Sequence, residues 1–137
     1  YGNFDKYQEI IDNSQLSNSI TLLNRYITDD EVPAIFSASD VCVLPYRSAT
    51  QSGIIGVAYQ YNLPVIATDV GGLREMIEPY HTGLMVDKID EMELAATIQY
   101  YFTQNLKNEL SKNIDLFKSK YNWENLAKKI LELYNRI

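Results

Sequence analysis

Apolar residues fall along this chain in two rhythms: short unbroken runs, and longer stretches spaced by three and four. A short run bounded by turn residues reads as a buried strand, and three-and-four spacing reads as a helix with one apolar face. Residues 41–44 form such a run, stopped by Pro45, and residues 64–67 form another. Between them lie a polar loop, from Tyr46 to Gln51, and a segment at helical spacing over residues 52–61. After the second run, Asp69-Val70-Gly71-Gly72 makes a glycine-containing turn. Strand, loop, helix, strand and loop in this order predict a right-handed crossover between parallel neighbours.

The same reading extends to both sides. Phe4, Tyr7, Ile10 and Ile11 predict a helix over residues 4–13 with Asn3 as cap, and Ile20-Thr21-Leu22-Leu23 reads as a strand. Thr28-Asp29-Asp30-Glu31 is rich in cap residues and acidic, so a helix is expected from Asp30, with Pro33 in its first turn and Val32, Ile35 and Phe36 inward. Leu73, Met76 and Ile77 mark a short helix ending before Pro79, and Leu84-Met85-Val86 a last strand. Asp90 with Glu93 starts a long helix, residues 105–119 form another, and Asn122 caps a final one. That last helix carries Trp123, Leu126, Ile130, Leu133 and Tyr134 on the face expected to be core. Alternating strands and helices predict an α/β fold, a Rossmann-like parallel sheet with helices on both faces.

Composition narrows the partners. At 137 residues, 46% hydrophobic and 22% charged, the chain is one globular domain with room for a core. A formal net charge of -6 and the lack of a Lys/Arg cluster argue against a nucleic-acid partner. No apolar run approaches the roughly 20 residues of a membrane span. The single cysteine, Cys42, sits mid-strand and reads as a buried thiol. The chain opens on Tyr1-Gly2-Asn3-Phe4 without an initiator Met and without a strand ahead of the first helix. It is therefore expected to be a fragment of a longer, two-domain protein.

The candidate chemistry lies at the crossover. In parallel α/β sheets both loops of such a unit stand outside the carboxyl ends of the strands, where ligands bind. Thr50, Gln51, Ser52 and Gly53 open the helix, and the unpaired N–H groups of a first turn attract anions. These residues suit a phosphate of a nucleotide. They equally suit a Ser/Thr-capped helix with a glycine for close packing, Ser48 and Gln51 forming a capping box. Gly71 and Gly72 fit a backbone needing positive φ. His81, the one histidine, lies in a turn and is assigned no chemistry.

Taken in order, three stretches resemble the C-terminal half of GT-B glycosyltransferases of the large retaining group called family 4 or group 1. They are Ser39-Asp40-Val41-Cys42-Val43-Leu44-Pro45, residues 63–75 (Leu-Pro-Val-Ile-Ala-Thr-Asp-Val-Gly-Gly-Leu-Arg-Glu), and Thr82-Gly83-Leu84-Met85-Val86. Asp87 with the Asp90 helix start, then Tyr121-Asn122-Trp123, continue the correspondence. The resemblance implies a donor-nucleotide-binding domain over residues 1–137, lacking the usual first strand, that takes a nucleotide-diphosphate sugar without metal or other cofactor. It implies that Gln51, Ser52 and Gly53, with Thr50, meet the diphosphate, that Arg25, Tyr26 and Ile27 lie where the nucleobase sits, and that Tyr46 and Arg47 line the cleft. Glu75 matches a family glutamate read as structural. Where the family usually carries two glutamates around this loop and helix, the chain has Ala49 and Val57.

By the same resemblance, the whole protein is a retaining glycosyltransferase of polysaccharide or lipopolysaccharide assembly. Retention is expected through front-face attack, and the catalytic residue is unassigned. Its partners are a nucleotide sugar and a missing N-terminal domain. The expected setting is cytoplasmic, with peripheral association at the inner membrane surface through the missing half. A non-catalytic nucleotide-binding or scaffolding module, or a nucleotide-sugar epimerase, remain alternatives.

Overall fold

In the computed structural model, which describes residues 4–136, three strands form one parallel sheet in the order β1 (Cys42–Leu44), β2 (Val65–Thr68) and β3 (Gly83–Val86). Val43 stands opposite Ile66 and Ile66 opposite Leu84. The central strand is buried at every position, as a parallel strand covered on both faces must be. Its side chains alternate between two cores. Val65 and Ala67 join Leu44, Ile55, Tyr59, Leu73 and Ile77 on one face. Ile66 joins Val86, Tyr101 and Leu110 on the other. Emptying either core at Ile66 or Ile55 to alanine costs about 2–5 kcal/mol.

Helices cover both faces. α1 (Asp5–Asp12) and α2 (Val32–Ala38) precede the sheet, α3 (Gly53–Gln60) links β1 to β2, and α4 (Leu73–Ile77) with a 3-10 turn at Glu78–Tyr80 links β2 to β3. α5 (Glu91–Thr103), α6 (Lys107–Lys120) and α7 (Trp123–Tyr134) complete the chain. The Asp90 carboxylate accepts from the Met92 and Glu93 amides at 2.9 Å, and the Asn122 side chain accepts from Asn125 N–H at 2.8 Å. Both expected caps are formed. The expected Asn3 cap lies outside the described residues. α6 gives Leu110 to one core and Ile114 to the other.

By contact density the chain divides between Val32 and Pro33 into two units. In the first, the strand expected at residues 20–23 is absent: the segment is irregular, with Ile20, Leu22 and Leu23 each more than 40% exposed. A strand exists only where a neighbour supplies a ladder, and among the described residues of this unit no strand is there to pair with it. Asp30 does not act as a cap either. Thr28 opens the turn into α2, its carbonyl accepting from the Glu31 and Val32 amides. The Glu31 carboxylate reaches back to the Thr28 N–H and hydroxyl, each at 3.0 Å, closing a capping box.

The second correction concerns α7. Its apolar stripe is present, yet Trp123 is 85% exposed and Leu126, Ile130, Leu133 and Tyr134 are exposed with it. Helical spacing shows that a face wants cover; it does not supply the cover. Cys42, expected to be buried, is half-buried, and that burial pushes its pKa up.

Candidate functional site

Because the strands run parallel, the loops leaving β1, β2 and β3 meet at one edge. The buried Thr68 hydroxyl donates to the Tyr46 carbonyl at 2.5 Å, tying the end of β2 to the first loop. Gly72 N–H donates to the Thr50 carbonyl at 2.9 Å, and Asp69 N–H to the Val86 carbonyl at 2.9 Å. Three loops are thus joined by backbone-directed hydrogen bonds.

The two glycines of the second loop meet this contact differently, Gly71 being required by it and Gly72 favoured. Gly71 takes φ +56°, and a methyl group there would stand 1.8 Å from the Ala49 carbonyl oxygen. Gly72 has an ordinary φ of −92°, so it is close approach, 3.1 Å from the Thr50 oxygen, that favours glycine there. The positive-φ expectation holds for Gly71 alone.

α3 begins against this joint. Ser52, buried and extended (φ −136°, ψ 116°), occupies the N-cap position but makes no side-chain capping bond. Its hydroxyl instead lies 3.3 Å from the Tyr46 hydroxyl. Among the described residues Ser48 and Gln51 form no capping box, so no side chain closes this helix start. Gly53 is exposed, and a side-chain carbon there would meet no atom within 4 Å. The first-turn N–H groups of α3, at the end of a helix dipole worth about half a positive charge, are therefore left without a side-chain partner, and the missing side chain of Gly53 leaves room beside them. Thr50, Gln51 and Arg47 are exposed around them, and Tyr46 is half-buried.

The remaining expected residues divide in two ways. Arg25, Tyr26 and Ile27 belong to the first unit. There Arg25 is engaged two-pronged by Glu31 at 2.5 and 2.8 Å and donates to the Tyr26 carbonyl at 3.1 Å, while Tyr26 is 79% exposed. The bond from Arg25, with those from Thr28, pushes the Glu31 carboxyl down to about 2. Glu75 lies exposed in the first turn of α4 and, among the described residues, bonds no loop amide. At the positions of the usual glutamates, Ala49 packs against the core below the first loop and Val57 is half-buried on α3.

One residue at this edge was not singled out from sequence. Arg74 reaches Asp69 at 2.9 Å, Glu78 at 2.6 Å and Asp87, and bonds to Asp69 and then Asp87 raise its pKa. Only the Glu78 partner, four residues on, was visible as a helical pair.

A groove of about 420 Å³ between the end of α6 and the start of α7 is lined by Lys120, Tyr121, Trp123, Leu126 and Lys129 among others. It includes no residue of the three loops and owes its apolar wall to the uncovered α7 face.

Comparison with known proteins follows the same outline. The family model described as glycosyl transferases group 1 matches residues 1–104. A D-inositol 3-phosphate glycosyltransferase of Corynebacterium urealyticum is 31% identical over 111 residues, covering 79% of this chain and 26% of that protein. A glycogen synthase of Lachnospira eligens is 27% identical over 127 residues, covering 83% and 26%. The structure of a sucrose-phosphate synthase from Thermosynechococcus elongatus superposes with a TM-score of 0.76 at 28% identity, over 96% of this chain and 33% of that one. The chain thus spans roughly a quarter to a third of the length of these relatives. With its parallel sheet, its helices on both faces and the family match across most of its length, the chain belongs to the group 1 glycosyl transferases of GT-B, Rossmann-like fold.

Proposed function

We propose that this chain is the donor-binding half of a retaining glycosyltransferase, and that the mouth of α3 holds the diphosphate of a nucleotide sugar. The observation that carries the proposal is the uncapped start of α3, with Gly53 in open space beside the joint between Thr50 and Gly72. As the bond from sugar carbon to phosphate oxygen breaks, negative charge grows on the leaving diphosphate. Fixed N–H donors and a helix dipole at that point stabilise it, and a single well-aimed donor is worth about 3 kcal/mol. Arg47, exposed on the first loop, is the candidate for a two-pronged phosphate contact. The acceptor and the rest of the cleft belong to the further length that the relatives have.

Binding of UDP or GDP to the chain, followed by calorimetry or NMR, tests this. A diphosphate should bind more tightly than its nucleoside, and Gly53→Leu should weaken the diphosphate at least tenfold while leaving stability unchanged. Equal affinity for nucleoside and diphosphate, or undiminished binding by Gly53→Leu, rejects the helix mouth. A second reading, a binding module without transfer, is favoured by the apolar Ala49 and Val57. Sugar transfer from a nucleotide-sugar panel by the whole protein excludes it.

A further inference from the structure

We infer that Arg74 is a positioning residue for the proposed donor site, holding the Asp69–Gly72 turn in the place that shapes the start of α3. The inference rests on the donor-site reading above and extends it to a residue that touches no ligand.

The chain of contacts is continuous. Arg74 sits in α4, and one guanidinium nitrogen bridges Asp69, at 2.9 Å, to Asp87. Asp69 is the first residue after β2, and Asp87 the first after β3. The other nitrogen takes Glu78 at 2.6 Å, within the same helical stretch. One side chain therefore fastens the loops after two parallel strands and closes the turn between Asp69 and its own helix.

The far limb of that turn carries Gly71, pressed on the Ala49 carbonyl, and Gly72, whose N–H holds the Thr50 carbonyl. Thr50 is two residues before Ser52, the α3 cap. A swing of the turn on release of Asp69 withdraws Gly72 from Thr50 and loosens the loop ahead of the helix mouth. Arg74 and Asp69 are each only about one-third exposed, so the pair is better shielded than an open surface bridge. The guanidinium spreads three carboxylate contacts over two nitrogens, one on Asp69 and Asp87 and the other on Glu78, a fork that the single nitrogen of a lysine on its flexible stem does not reproduce.

The test compares Arg74→Met, which keeps the stem, with Asp69→Asn, Arg74→Lys and the control Glu78→Gln. In Arg74→Met and in Asp69→Asn the Gly72 amide should exchange with solvent at least tenfold faster, while the Ile66 amide in the core keeps its protection. Affinity for UDP or GDP should fall about five- to twentyfold with nucleoside affinity unchanged, a split that general loosening of the fold does not produce. The double variant should be no worse than either single one, Arg74→Lys should recover only part, and Glu78→Gln should match wild type. Unchanged Gly72 exchange in both single variants, or unchanged diphosphate affinity where the wild-type chain binds, overturns the inference. If the wild-type chain binds no diphosphate, the donor-site reading falls and takes the functional half of the inference with it. Gly72 exchange then still decides whether Arg74 holds the turn.

Discussion

Replacing Gly71 with alanine is the sharpest probe of the loop joint. Two costs add at this position. The backbone holds φ +56°, which costs an ordinary L-residue about 1–2 kcal/mol. The new methyl would also stand 1.8 Å from the Ala49 oxygen, against 3.4 Å for ordinary contact, so the two loops must part by about 1.6 Å. A hydrogen bond of 2.9 Å, such as that from Gly72 to Thr50, does not survive that movement, and its loss adds about 1 kcal/mol. The sum, about 2–3 kcal/mol, should lower the unfolding midpoint by roughly 6–10 °C for a domain of this size. Diphosphate affinity should drop more than tenfold, because the loop before α3 moves as well. Gly53→Ala is the matched control: its methyl meets nothing in the ligand-free chain, so stability should stay level or rise slightly. Thermal unfolding by circular dichroism and calorimetric titration read both quantities. A Gly71→Ala protein melting within about 2 °C of wild type, with its affinity kept, would refute the close approach and the reasoning built on it.

Two titrations give further checks. Burial pushes Tyr59 and Tyr101 up to about 12. Their protonated forms are thus favoured by folding, and this contribution is whole below the ordinary value of 10 and lost as pH rises through about 12. Alkaline titration followed by tyrosinate absorbance should show a late class that shrinks in Tyr59→Phe. That variant should also lose about 1–2 kcal/mol of stability, because the Tyr59 hydroxyl bonds Thr82 and the Met76 carbonyl. At the acid end, Glu31 is held down to about 2 from an ordinary 4.5. Its contribution is present above that ordinary value and lost as pH falls towards about 2. Arg25→Met should move the Glu31 titration, read by carbon NMR, back upward; an unmoved Glu31 would show that the pair does not form in solution.

What sequence could and could not show follows from the range of each interaction. The caps at Asp90 and Asn122 are set within three residues, and the buried run Val65–Thr68 carries its own signature. These were legible. The segment 20–23 has strand-like residues, but pairing is settled by a partner far away in the chain. The stripe on α7 was equally plain, while its cover is a property of something else. Arg74 was missed because its bridge joins residues five before and thirteen after it, which no local pattern marks. In the candidate site, Gly71 and Ser52 could be read as turn and helix start. The collision that forbids a methyl at Gly71 needed coordinates.

The helix that feeds both cores also sets an order of events during synthesis. The three strands of the described sheet lie ahead of it in the chain, so that sheet leaves the ribosome with one side lacking Leu110 and the other lacking Ile114. One late segment therefore completes both cores. Nascent chains arrested before residue 110 should remain open to protease, and those released past residue 120 should resist it.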